Sequence, residues 1–450
     1  MPDPLAALKQ GGLDLSLADR AMGLVGIAVM VGIAYAISYD RRAIRWRLVG
    51  AGLALQALFG VLVLKTAAGR FFFEKVGDIV GGVLGFSLQG ARFVFGNLVD
   101  NNQPVGSALP TGQLDSSLGL VANAGAFFAF AVLPTIVFFA ALMSVLYHLG
   151  IMQVVVKAIA WVMQRSLGTS GAETLSASGN IFLGQTEAPL LIKPFVKDAT
   201  PSELFTIMVG GFATVAGGVL AAYVLMLQNV FPNVAGHLLA ASVMNAPAGL
   251  LLAKIIRPED RTPVTKDSLR ITTERPEANV IEAAASGAST GVQLALNVGG
   301  MLMAFVALIA MLNFGVGFLG HLVGFDGLTL QSILGTALRP LAWVMGVPWA
   351  DTAYVGGLIG VKTTLNEFVS YAQFASDLKS GALTLHPRSA VITAYALLGF
   401  ANFSSIAIQI GGIGGLAPER RGEIARFGLR AMVAGNLAAF MSASLAGMLL

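Results

Sequence analysis

Long apolar stretches dominate this chain, and short polar islands are set inside them. Residues 116–156, 204–253, 283–325, 389–418 and 431–450 contain no Asp, Glu, Lys or Arg. Several of these runs can hold one or two spans of the ~20 residues that cross a bilayer's hydrocarbon. Spans are expected near 21–39, 47–66, 119–149 (with Pro134 inside), 203–228, 235–256, 288–322, 389–412 and 427–449. The stretch 71–98 is broken by Glu74, Lys75, Asp78 and Arg92, which predicts a shorter or interfacial segment. Ile151–Arg165 carries Lys157, Gln164 and Arg165 beside Trp161, the pattern of an amphipathic helix lying in the interface.

Two segments are poor continuous spans. Residues 168–198 are apolar at both ends, with a small and polar middle of Ser176, Ser178, Gly179, Asn180 and Gly184. Residues 340–378 scatter Asp351, Lys362 and Glu367 through apolar sequence. Each predicts a re-entrant helical hairpin, whose broken tip is tolerated because it lines a wet cavity. Each is followed by a matching string, Gly211-Phe212-Ala213-Thr214 and Gly399-Phe400-Ala401-Asn402. Transporters built from two such repeats place their substrate between them. The fold class expected is an all-α polytopic membrane protein, with about eight transmembrane helices plus two re-entrant helical hairpins in an inverted repeat. Residues 1–118 would hold N-terminal spans and a peripheral loop, 119–425 a transport core of two hairpin-containing repeats at about 168–228 and 340–412 with scaffold helices, and 426–450 a C-terminal span. The charged, proline-containing stretch 257–280 reads as a loop.

Composition agrees with the pattern: 56% of residues are hydrophobic and 12% charged, against roughly 25% charged in a soluble domain. Four arginines fall within Asp40–Arg47, so this loop should be cytoplasmic and the N-terminus outside. The polar start, Met1-Pro-Asp-Pro, has no basic region or cleavage site, so the first apolar run is expected to stay uncleaved. Without cysteine there are no disulfides and no thiol chemistry. The net charge of +4 comes from loops and forms no nucleic-acid footprint. The four histidines lack metal-ligand spacing, and no P-loop, nucleophile elbow or dinucleotide fingerprint is present, which argues against ATP-driven transport.

The polar islands carry the candidate chemistry. A carboxylate at hydrocarbon depth costs ~2.5–3.5 kcal/mol on insertion scales, so buried acids here point to function. Gln185, Thr186 and Glu187 offer amide, hydroxyl and carboxylate groups that could satisfy a neutral polar ring; the plain alternative is a solvated loop. Glu367 lies five residues after Lys362 and could form a buried ion pair or accept hydrogen bonds from vicinal hydroxyls. Among Asn402, Ser404 and Ser405 the serines could be mere packing residues, and Asn402 is costlier to bury. Asn180 and Thr214 could place oxygens around a cation where helices unwind.

The string Gly184-Gln185-Thr186-Glu187-Ala188-Pro189-Leu190, with Asn366-Glu367-Phe368-Val369, Gly399 to Ser405 and Ala278 to Ala284, resembles the concentrative nucleoside transporter family, with similarity along 119–425. The resemblance implies a homotrimer in the lipid bilayer, two opposed hairpins per protomer and elevator-like movement. It implies that Gln185, Thr186 and Glu187 meet the nucleobase, with Gly184 leaving room beside it and Val219 and Phe400 as apolar walls. Glu367, Asn402 and Ser405 would hold the ribose. A sodium ion would sit between the Asn180 and Thr214 side chains and the Leu183 and Val215 carbonyls; Thr214 stands where some relatives carry serine. Some bacterial relatives use protons instead. The chain begins near the first core span and ends at the last, as bacterial members do. The expectation is therefore a sodium-coupled nucleoside symporter of a bacterial inner membrane, not an enzyme, with proton coupling as the alternative. An intramembrane enzyme using Glu187 and Glu367 is the rival, and the internal repeat disfavours it.

Overall fold

The computed structural model describes residues 15–100, 128–231, 233–266, 277–322, 324–380 and 385–450, with four strand segments of two or three residues between 102 and 123. Most of the expected polar loop at 99–118, and the middle of the loop at 257–280, lie outside the described residues. The strand segments pair antiparallel, Asn102–Pro104 with Val121–Asn123 and Ser107–Ala108 with Leu114–Asp115. The rest is helical.

Eight helical segments among the described residues are long and apolar enough to cross a membrane. They contain α1 (Leu17–Ala36), α2 (Trp46–Leu64), α3 (Ala67–Phe95), α4 (Leu133–His148), α8 (Pro201–Ala213) with α9 (Gly217–Leu227), α10 (Val234–Ile256), α11 (Val280–Leu322) and α17 (Arg421–Leu449). The number matches expectation, but the membership differs. The 71–98 stretch is one continuous helix of spanning length, its charges confined to Glu74–Asp78 and Arg92 with an uncharged run between them. Lys75 pairs with Asp78 at 3.1 Å and Arg92 with Asp100 at 2.9 Å. The expected 389–412 span is instead two helices, α15 (Pro387–Leu397) and α16 (Phe403–Leu416), interrupted at 398–402. Pro134 is the second residue of α4, directly after a π-helical turn at Phe128–Val132.

Each repeat opens with an amphipathic helix. The first, α5 (Ile151–Leu167), buries Met152, Val156, Ala160, Met163 and Leu167, one stripe at helical spacing, and exposes Trp161. The second, α12 (Leu330–Val344), falls where sequence placed only the start of a broken hairpin.

The hairpins follow. Hairpin 1 runs from α6 (Gly171–Gly179) through an unwound tip at 180–187 and a 3₁₀ turn (Ala188–Ile192) to α7 (Lys193–Val196). Its two ends return to one place: Ser170 caps α6, Thr200 caps α8, and the Ser170 hydroxyl donates to Glu203 across the junction. Lys254 of α10 closes the junction with a 2.6 Å bridge to Glu173. This is the end where Tyr39, past α1, donates its backbone N–H to Ile256, and where the arginine loop lies.

Hairpin 2 comprises α13 (Thr352–Thr364) and α14 (Glu367–Ser380). Its ends also meet, through Asp351, which accepts from the His386 backbone and the Ser389 hydroxyl. Arg388 ties this junction to Asp19, at the start of α1, and to Gly447, at the end of α17. Helix α1 therefore runs from the base of hairpin 2 to the base of hairpin 1, and the two hairpins enter from opposite ends.

Between them lie the most buried spans. Helix α10 packs on α2, α8 and α17, and α17 packs on α1, α8, α15 and α16. The 43-residue α11 leans chiefly on α4 and leaves most of its apolar length exposed.

Candidate substrate site

Both repeats contain a helix that stops and restarts. Helix α8 ends at Ala213 and α9 begins at Gly217; α15 ends at Leu397 and α16 begins at Phe403. The breaks meet: the Phe400 backbone N–H donates to the Thr214 carbonyl at 3.2 Å. Gly399 permits this approach, since it adopts φ +118° and its α-carbon faces the carbonyls of Phe212 and Ala213. An asparagine supports each break from a central span. Asn245 Nδ2 donates to Ala213 at 2.8 Å and Asn436 Nδ2 to Ala401 at 2.9 Å. These are equivalent positions of the two Gly-Phe-Ala strings, so the repeat seen in sequence is also a repeat of contacts.

From these breaks a continuous polar chain joins the hairpin tips. Asn402 caps α16, its Oδ1 accepting the Ser405 backbone N–H at 2.9 Å. Its Nδ2 donates to Glu367 Oε2 at 2.8 Å, at the tip of hairpin 2. Tyr223 of α9 donates its hydroxyl to Glu367 Oε1 at 3.1 Å, and its ring stacks on Tyr371. One turn along α16, the Ser405 hydroxyl accepts from Gln185 Nε2 at 3.1 Å, at the tip of hairpin 1. Gln185 Oε1 accepts in turn from Gln409 Nε2 at 3.1 Å. Gln185, Glu367, Asn402, Ser405 and Gln409 are all buried.

The other expected residues fall around this chain. Thr186 packs against α16 at Gly412. Val219 is buried one turn before Tyr223 on α9, and Phe400 is half-buried in the second break. Glu187 accepts the Gly184 backbone N–H at 3.2 Å and faces a different space. That space is a cavity of about 500 Å³ between hairpin 1 and helices α4 and α11, lined also by Tyr147, Phe182 and Gly217. A cavity of this size suits a small-molecule ligand.

Lys362 and Glu367 do not bond to each other. The lysine donates to main-chain carbonyls of Ala396 and Leu398, and the glutamate accepts from Tyr223 and Asn402.

The stretches that carry the four expected cation ligands meet where the hairpin 1 tip approaches the first break. Asn180 lies against Gly210, where a side-chain carbon would come within 3.2 Å of its Nδ2. The Thr214 hydroxyl donates to the Gly210 carbonyl at 2.9 Å. Leu183 and Val215 are buried beside them, and the Phe182 carbonyl accepts the Gly217 N–H at 2.8 Å. Asn180 is fully buried, and neither its Oδ1 nor its Nδ2 has a protein partner. Such a side chain is costly unless something completes its bonds.

Tyr223, Gln409, Asn245 and Asn436 were not anticipated from sequence. Only Gln409 had a usable signal, standing four residues after Ser405 in a charge-free run.

Residues 25–98 match the family described as Na+ dependent nucleoside transporter N-terminus, and 237–447 its C-terminus. Residues 129–230 match a Gate family described as nucleoside recognition. An uncharacterized transporter of Haemophilus influenzae is 46% identical, over 94% of this chain and 96% of its own length. The nucleoside permease NupC of Helicobacter pylori is 41% identical, again over 94% of this chain and 96% of its own. The solved structure of CNTnw in an inward-facing substrate-bound state has a TM-score of 0.85 at 44% identity, covering 95% of this chain and 97% of that one.

Proposed function

The chain belongs to the concentrative, Na+-dependent nucleoside transporter family, and we propose that it imports nucleosides by sodium symport across a bacterial inner membrane. The observation that carries this reading is the polar chain from Gln409 through Gln185, Ser405 and Asn402 to Glu367. It sets a carboxylate and an amide beside one another at one end, the acceptors and donors that vicinal ribose hydroxyls need. At the other end, Gln185 and Thr186, with Glu187 on the cavity side and Gly184 behind them, provide mixed groups for a base. Val219 and Phe400 offer apolar surface.

Sodium is the favoured coupling ion because of Asn180, whose buried side chain lies where hairpin 1 meets an unwound helix. Broken-helix carbonyls, here those of Leu183 and Val215, complete such sites. The Thr214 hydroxyl supplies a further oxygen. In this reading the two hairpin-containing repeats of the 119–425 core carry substrate past the scaffold helices of the same core, as an elevator does. The exposed apolar face of α11, including Leu296, Met303 and Phe314, supports assembly into a homotrimer within the bilayer.

The test is uridine uptake into sealed proteoliposomes, with sodium and proton gradients imposed separately. An inward sodium gradient should drive accumulation of unchanged uridine. Accumulation that follows only the proton gradient replaces sodium with protons; chemical conversion of uridine in detergent would favour the enzyme reading.

A further inference from the structure

The pseudo-symmetry of the repeats gives Lys362 an assignment. Lys362 occupies the last turn of α13, immediately before the tip of hairpin 2. Asn180 follows the last turn of α6 and opens the tip of hairpin 1. Each is fully buried, and each faces the C-terminal end of the helix that precedes a break. For Asn180 that helix is α8, met at Gly210; for Lys362 it is α15, met at Ala396 and Leu398. Counting back from Gly211 and Gly399, Gly210 and Leu398 are equivalent, and so are Met208 and Ala396.

The chemistry differs between the two places. In the first repeat the side chain is neutral and its polar atoms lack protein partners. In the second, an ammonium fills the position. Lys362 Nζ donates to Ala396 at 2.9 Å and Leu398 at 3.4 Å, and lies 5.7 Å from the centre of the Phe440 ring. Helix C-termini and aromatic faces both attract cations.

We propose that the Lys362 ammonium is a tethered cation, holding the second break as a sodium ion holds the first. The transporter then needs one mobile ion where its symmetry provides two positions. This rests on the sodium reading of Asn180, but its test does not.

Purified protein in detergent is titrated with uridine by calorimetry, over a series of sodium concentrations balanced with choline. Linkage makes the slope of log affinity against log sodium count the ions taken up with the nucleoside. Wild type should give a slope of about one below saturation. Lys362→Asn, which copies the first repeat's residue, should bind uridine about tenfold more weakly at low sodium. Its slope should exceed the wild-type slope by about one, as a second ion enters the vacated position. Lys362→Arg should keep the wild-type slope.

A folded Lys362→Asn protein whose slope equals the wild-type slope overturns the proposal. So does Lys362→Met binding uridine as wild type does, because methionine keeps the length without the charge. A wild-type slope of zero refutes the sodium reading of Asn180 alone, and the difference between the Lys362→Asn and wild-type slopes still decides the role of Lys362.

Discussion

The Asn402 amide donates to the Glu367 carboxylate at 2.8 Å, linking the restart of a broken helix to the tip of the opposite hairpin. Asn402 cannot turn freely, because its other atom caps α16 through the Ser405 N–H. The orientation of the carboxylate is thus fixed from one side by the helix cap and from the other by Tyr223.

Tyr223 is accordingly a positioning residue. Tyr223→Phe removes the 3.1 Å bond to Glu367 and keeps the ring on Tyr371, 4.3 Å between centroids. Hydrogen bonds to charged groups contribute ~1.5–3 kcal/mol, so uridine affinity should fall about tenfold or more. Calorimetry checks this, and an unchanged melting temperature would separate positioning from packing. Unaltered affinity would remove Tyr223 from the account.

Asn245 and Asn436 should matter for stability alike. Replacing either with leucine leaves an alanine carbonyl at a break without its donor, which should cost about 1–2 kcal/mol on the scale of membrane interhelical hydrogen bonds. Thermal unfolding in detergent should drop by comparable amounts for the two variants. A large loss for one and none for the other would show that the breaks are not equivalent.

Much of this architecture was legible in sequence because buried polarity is expensive in a membrane. Islands at 180–187 and 366–367 stood out inside largely apolar sequence, and the Gly-Phe-Ala strings tied them together. Two kinds of feature were hidden. The charges of α3 read as interruptions, yet Lys75 pairs with Asp78 and Arg92 with Asp100 within one segment, and the exposure of that helix is a tertiary fact. Tyr223, Asn245 and Asn436 are single polar residues in long apolar runs, and their partners are 144, 32 and 35 residues away. No local pattern marks such positions. Glu187 was read as part of one cluster with Gln185, but the unwound tip turns it toward the cavity beside Tyr147.

The proposed sodium site makes its own prediction. Asn180→Ala and Thr214→Ala should each flatten the sodium dependence of uridine binding. Linkage requires uridine to raise sodium affinity by the same factor that sodium raises uridine affinity. Paired titrations check both sides, and binding in both variants with the full wild-type sodium response would dismiss these ligands.

The polar chain also predicts coupling between the hairpins. Gln185 bonds to Ser405, Ser405 to Asn402, and Asn402 to Glu367. Gln185→Ala and Glu367→Gln should therefore be non-additive in uridine affinity, with an interaction energy of ~0.5–3 kcal/mol. A double-mutant cycle measures it. Effects that sum within ~0.3–0.5 kcal/mol would mean the two tips act independently.

The claim that Glu367 receives the ribose is tested most directly by comparing uridine with its 2′,3′-dideoxy analogue on wild type and Glu367→Gln. The wild type should prefer uridine strongly if, as proposed, the carboxylate accepts from both hydroxyls. Glu367→Gln replaces an acceptor with a donor facing the Asn402 amide, and should weaken uridine binding at least about tenfold. The analogue should be affected far less, so discrimination collapses in a protein whose fold is intact. Equal losses for both ligands, or unchanged uridine binding, would contradict the account.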